Sequence, residues 1–168
     1  MLVTKNIDET FVLKQVISYQ TQSLAIVGAE LPTDDDPMPF EIRKYKESYW
    51  INASGKRRTS YECMACGTED GFIDTSGYPT NYKLAIRPVL VFKDISDNNW
   101  WNIGDVFKFC DKEFQIFTKT RAFCLSDIGA SAYRKNVRVK DVLDYEKSDA
   151  KKVIDKWFQE SLEKGYQF

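Results

Sequence analysis

Apolar and polar positions divide the chain into a helical opening, a middle of short strands and turns, and a helical close. In residues 8–20, Val12, Leu13, Val16 and Ile17 fall at i, i+1, i+4 and i+5, which is one helical face, with Asp8 placed to cap it. The β-branched valines and Ile17 keep a strand as the alternative. Residues 23–28 form a short apolar run ended by Gly28 and read as a buried strand. Tyr49-Trp50-Ile51 begins a strand, residues 60–66 form another, and Glu69-Asp70-Gly71 is a hairpin turn. Phe72 to Thr75 follows, and Ser76-Gly77-Tyr78-Pro79 reads as the next turn. Residues 84–92 are almost wholly apolar, as in a strand covered on both faces. Pro88 has no N–H to donate and belongs at an edge or a bulge of that strand.

Residues 104–126 read as a three-stranded meander with turns at Cys110-Asp111-Lys112 and Lys119-Thr120. Val106, Lys108 and Cys110 lie on one side of its first strand, Phe107 and Phe109 on the other. Ser148 is placed to cap a helix over 149–164, with Asp149 in its first turn. Its apolar stripe is Ala150, Val153, Ile154, Trp157, Phe158, Ser161 and Leu162, and Gly165 is a natural stop. The fold class that follows is α+β: a mixed, mostly antiparallel sheet with hairpins, flanked by two helices.

The 168 residues suit one domain over 1–168, with a loop-rich insertion at 31–48 marked by three prolines and the Asp34-Asp35-Asp36 triplet. Those aspartates lack the alternating spacing and glycine turn of a Ca²⁺ loop and read as a solvated acidic loop. No apolar run approaches the about 18 residues of a membrane helix, and the first residues lack a signal-peptide pattern. The expected location is cytoplasmic. A net charge of −1 argues against broad electrostatic binding of nucleic acid, while leaving local basic patches open.

The chain has no histidine, which removes the commonest general base and the commonest metal ligand. Ser148-Asp149-Ala150-Lys151 has Ser-x-x-Lys spacing, but Ser148 is better explained as the helix cap. Cys63 and Cys66 form a Cys-x-x-Cys pair within a strand pattern, not at the helix start a redox pair would use. Cys110 and Cys124 are thirteen residues apart between them and lack the short spacing of a zinc knuckle. The four cysteines therefore read as structural, with zinc and redox roles as the sharper alternatives. No catalytic residue, metal ligand or cofactor is assigned. The candidate binding residues are Lys56, Arg57, Arg58 and Tyr61, a basic turn beside aromatics, together with Trp100 and Trp101. Neighbouring positions on a strand face opposite ways, so one of the two tryptophans packs and the other is left for a ligand.

Two stretches resemble a known family. Tyr49-Trp50-Ile51, the Asp70-Gly71 turn and Ile86-Arg87-Pro88-Val89-Leu90 resemble the closing half of the DUF6273 family. Ile103-Gly104-Asp105-Val106-Phe107-Lys108-Phe109, Phe114-Gln115-Ile116-Phe117 and Cys124-Leu125-Ser126 resemble its opening half, and the Trp157-Phe158 helix also has a counterpart there. Together they cover about two thirds of the chain. Ile51-Asn52-Ala53 stands where the family has Leu-Arg-Ser, Cys110 stands where it has glycine, and the halves come in permuted order, joined by a connection at 93–103. The resemblance implies a C-type-lectin-like fold and no established activity. If the family's terminal strands still pair, 84–92 and 104–109 form an antiparallel ladder closed by the 93–103 loop. Its absence would point to a piece of a tandem or a swapped dimer.

The functional expectation is a non-enzymatic binding module on a C-type-lectin-like scaffold, for a protein or small-molecule ligand. The alternative is an intracellular inhibitor or regulator from a mobile element that binds a protein or protein–RNA complex.

Overall fold

The computed structural model describes residues 24–53, 57–58, 61–96 and 100–164, with the backbone alone for 57–58, 61–66 and 76. Among these residues the chain is α+β. The strands are β1 (Ile26–Glu30), β2 (Tyr49–Trp50), β3 (Arg57–Arg58), β4 (Tyr61–Gly67), β5 (Ile73–Pro79), β6 (Lys83–Ala85), β7 (Val89–Phe92), β8 (Val106–Phe109), β9 (Lys112–Thr118), β10 (Arg121–Cys124) and β11 (Ala130–Ala132). The helices are α1 (Phe40–Arg43) and α2 (Asp149–Glu163), the latter preceded by a 3-10 turn at Tyr145–Lys147. The helix expected over 8–20 lies outside the described residues, and α1 falls inside the stretch read as a loop-rich insertion.

The strands form two sheets. The first runs β1-β7-β10-β9-β8 and is antiparallel throughout. The second runs β11-β6-β2-β4-β3, with β5 hydrogen-bonded to β4 and one parallel pair, β2 with β6. Alternation along β7 and β10 divides their side chains between two cores. Leu90, Phe92, Ala122 and Cys124 join Phe107, Phe109, Phe114 and Ile116 on one side. Val89 and Phe123 join Tyr49, Ile51, Ala85 and Phe117 on the other.

Helix α2 forms as its sequence predicts. The Ser148 hydroxyl accepts from the Lys151 N–H at 3.0 Å, satisfying one of the orphan amides of the first turn. Ala150 and Ile154 enter a third core with Leu31, Trp50, Ile86 and Tyr133, while Trp157 and Phe158 pack against Phe109 and Phe114. The stripe stops one residue short of expectation: Ser161 is buried, its hydroxyl donating to the Trp157 carbonyl, and Leu162 is exposed.

Three expectations are corrected. The apolar run 84–92 is not one strand. β6 belongs to the second sheet and β7 to the first, with Ile86-Arg87-Pro88 crossing between them. Pro88 therefore occupies no ladder position, and its carbonyl accepts from Cys124 N–H at 3.0 Å. Second, no ladder joins 84–92 to 104–109 among the described residues: β7 pairs with β1 and β10, and β8 pairs with β9. The all-buried Ala122-Phe123-Cys124 suits an interior position beside β7, whereas β8 with its exposed Lys108 suits an edge. Third, β5 continues through Ser76-Gly77-Tyr78-Pro79, and the turn comes later, closed by Tyr82 N–H to the Pro79 carbonyl at 3.0 Å.

Candidate functional site

The most concentrated charge in the interior is Arg87, at the crossover between the sheets and 1% exposed. A buried cation needs compensation, and among the described residues no carboxylate supplies it directly. Instead, Nε donates to the carbonyls of Cys124 and Ser126, both at 3.2 Å. Nη2 donates to Ile42 at 2.9 Å and Cys124 at 3.0 Å, and Nη1 to Arg43 at 3.4 Å. Three rings close over the guanidinium, with centroids 4.1 Å (Phe123), 4.4 Å (Tyr45) and 4.6 Å (Tyr49) away. Burial lowers the guanidinium's pKa, against the upward pull of Tyr49, Cys124 and Tyr45, and an arginine so placed is still a cation at neutral pH. Tyr45 in turn donates its hydroxyl to Asp127. Burial, and then that carboxylate, push the phenol's pKa up. Every donor nitrogen of Arg87 faces a carbonyl, so this constellation ties α1 to β10 and to the crossover before β7.

The residues singled out from the sequence fall in different places. Lys56 lies outside the described residues. Arg57, Arg58 and Tyr61 are placed by their backbones on β3 and β4, where Arg57 pairs with Glu62 and Arg58 with Tyr61. Trp101 is 3% exposed and packs edge-on against Phe107, so it is a core residue and is corrected out of the binding set. Trp100 is half-buried against the same core. Asp36, from the acidic triplet, is committed to Arg121, whose Nε lies 2.7 Å from its carboxylate, while Glu30 holds the Arg121 Nη1 at 2.5 Å. Burial opposes the charge on Arg121, yet the two carboxylates raise its pKa overall. Cys124 is buried, which pushes its thiol pKa up and away from reactivity, and Cys110 is half-buried. Among the described residues no three histidine, cysteine, aspartate or glutamate side chains converge as metal ligands. None of their helices is long and apolar enough to cross a membrane.

The aromatic surface that sequence reasoning missed is Tyr78 with Tyr82. Their rings are stacked, 5.5 Å apart at 20°, and both are exposed, at 37% and 52%. The backbone beneath them is fixed. Tyr78 pairs with Met64 in the β4–β5 ladder, Thr80 between them is buried, and the Thr80 carbonyl accepts from Arg134 N–H at 2.9 Å. The arginine pairs of β3 stand at the same end of β4, with Arg57 opposite Glu62 two positions from Met64. The sequence signal was available in Tyr78-Pro79-Thr80-Asn81-Tyr82: two tyrosines four apart around a proline, with no large apolar neighbour to bury them. A second exposed ring, Phe72 at 63%, lies at the other end of the hairpin, edge-on to Phe40, whose ring Lys44 Nζ covers at 4.8 Å.

No family model, curated protein or solved structure matches this chain.

Proposed function

We propose that this chain is a non-enzymatic binding module that holds its ligand on the turn-rich end of the second sheet, around Tyr78 and Tyr82. The observation that carries this reading is the stacked, exposed tyrosine pair on a pinned backbone. Two large rings held against each other in water lose little further freedom on binding, and each offers an apolar face with a polar tip. The C-type-lectin-like scaffold enters the reading on two supports: the sequence resemblance, and the meeting of both family-like segments in one sheet through β7 and β10. The non-enzymatic part rests on how the buried charge is used: Arg87 and the Asp36–Arg121–Glu30 cluster bind structure to structure.

The test immobilises the chain and compares what it retains from a lysate of its source with two variants. Tyr78→Ala/Tyr82→Ala should lose the retained ligand, whereas Phe72→Ala, at the opposite end of the hairpin, should keep it. Retention that survives loss of both tyrosines would overturn the assignment of the surface.

A further inference from the structure

We infer that the ligand of the Tyr78–Tyr82 surface is a single-stranded nucleic acid. This rests on the binding-module reading above and adds the chemistry of the occupant. Charge complementarity beside a stacking platform supports this occupant. Lys83 follows Tyr82 directly and pairs with Ala132 on β11. The chain leaving β11 passes Thr80 through the Arg134 hydrogen bond and loops back, where Arg134 Nη1 donates to the Asp141 carbonyl at 3.1 Å. That loop carries Lys135, Arg138 and Lys140, all exposed. Among the described residues no carboxylate pairs with the side chains of Lys83, Lys135, Arg138 or Lys140.

The acids that do stand nearby are committed elsewhere. Asp141 lies 2.7 Å from Lys147 Nζ and 3.6 Å from Arg134 Nη1. Asp149 accepts from the Lys135 backbone N–H and lies 3.7 Å from Lys152 Nζ. Among the described residues, four exposed cations without carboxylate partners therefore lie on the two stretches of chain that meet at the Arg134–Thr80 hydrogen bond: Lys83 next to Tyr82, and Lys135, Arg138 and Lys140 in the loop that Arg134 opens, in a chain whose net charge is −1. Exposed rings that extend a stack, flanked by cations that track phosphates, are what a single strand needs. A duplex offers its bases to neither. An acidic protein would use the cations but gives no reason for the paired rings.

The test measures fluorescence anisotropy of labelled oligo-dT and oligo-rU of about 20 nucleotides, the length of a few single-strand sites. A duplex of equal length and a poly-glutamate competitor serve as controls. The inference expects single strands to bind in preference to duplex, with a log–log salt slope of about −0.7 for each phosphate neutralised. Tyr78→Ala/Tyr82→Ala should weaken binding about tenfold or more, since each lost base stack removes a factor of that order. Tyr82→Phe should keep it, and Lys135→Glu/Arg138→Glu/Lys140→Glu should flatten the salt slope. Absence of binding in low salt overturns the inference, as do equal binding of duplex and indifference to the tyrosine variants. Equal displacement by poly-glutamate also overturns it, by assigning the surface to an acidic protein. Capture from nuclease-treated lysate that still depends on the tyrosine pair would leave the binding-module reading standing while removing nucleic acid as its ligand.

Discussion

Replacing Arg87 by methionine tests whether a carbonyl-ringed buried cation stabilises this fold or burdens it. Methionine keeps most of the volume and removes the charge. The two shortest hydrogen bonds lost, Nη2 to Ile42 at 2.9 Å and to Cys124 at 3.0 Å, involve a charged donor. Such bonds contribute about 1.5–3 kcal/mol each. The three rings at 4.1–4.6 Å add about 2 kcal/mol together when desolvated. Against this stands relief from burying the guanidinium, worth several kcal/mol, which makes hydrophobic replacements of some buried ion pairs neutral or better. The decisive difference is the partner. A carboxylate can be replaced along with its cation, but the carbonyls of Cys124, buried, and of Ile42 and Ser126, half-buried, stay turned toward the gap. The net expectation is a loss of about 3 kcal/mol, read as a lower urea midpoint with unchanged m-value. Tryptophan fluorescence, with Trp50 and Trp101 as buried probes, reports the transition. A change within about 0.5 kcal/mol, or a gain, would refute the view that the backbone carbonyls make this arginine indispensable.

Gly67→Ala should destabilise by about 2–3 kcal/mol in the same urea assay, because the added carbon would lie 2.2 Å from the Tyr49 ring, itself held against Arg87. A neutral result would mean that Tyr49 can move away. Asp111→Gly should raise stability by about 0.5–1 kcal/mol, since Asp111 sits at φ 66 in the β8–β9 turn, a conformation glycine adopts without strain. A lower melting temperature would show that the Asp111 side chain stabilises the turn. Treatment with EDTA should leave the melting temperature unchanged, and a drop of several degrees that zinc reverses would restore a structural metal role to the cysteines.

The elements whose local signals and burial agree were legible. Helix α2 is written in its cap and its stripe, and the β8–β9–β10 meander in its alternation and turns. Pairing between distant strands was not legible, because period-two alternation gives the face of a residue but not the neighbour of its strand. The run 84–92 illustrates the limit. Ile86 and Val89 are both buried, yet Ile86 packs with Trp50 and Tyr133 while Val89 packs with Tyr49 and Phe123. Apolar character alone does not mark the crossing between two sheets. Arg87 does: a charge in the middle of an apolar run has to find acceptors, and free carbonyls gather where the chain leaves one sheet for another. The tyrosine pair was missed for a related reason. The sequence pattern places Tyr78 in a turn, where exposure is unremarked, whereas on a strand end pinned through Thr80 it is a fixed platform.

The same crossover bears on the order of the two family-like segments. The resemblance implies that 84–92 pairs with 104–109, as the family's terminal strands do, and that absence of this ladder points to a tandem piece or a swapped dimer. Within this chain the segments meet through other strands. Phe92 N–H donates to the Thr120 carbonyl at 2.9 Å, Cys124 N–H to Pro88 at 3.0 Å, Ile128 N–H to Ile86 at 3.0 Å, and Ile86 N–H to Gly129 at 2.9 Å. The Arg87 side chain adds bonds to Cys124 and Ser126 along the same seam. Loop closure favours no particular strand of the meander strongly, since its entropy varies only with the logarithm of loop length. Burial decides instead. β10 buries Ala122, Phe123 and Cys124 together and gains most from neighbours on both sides, and β8, with Lys108 in water, loses least at the edge. Connection order along the chain is therefore the weaker constraint, and the partner that can be covered completely takes the interior place.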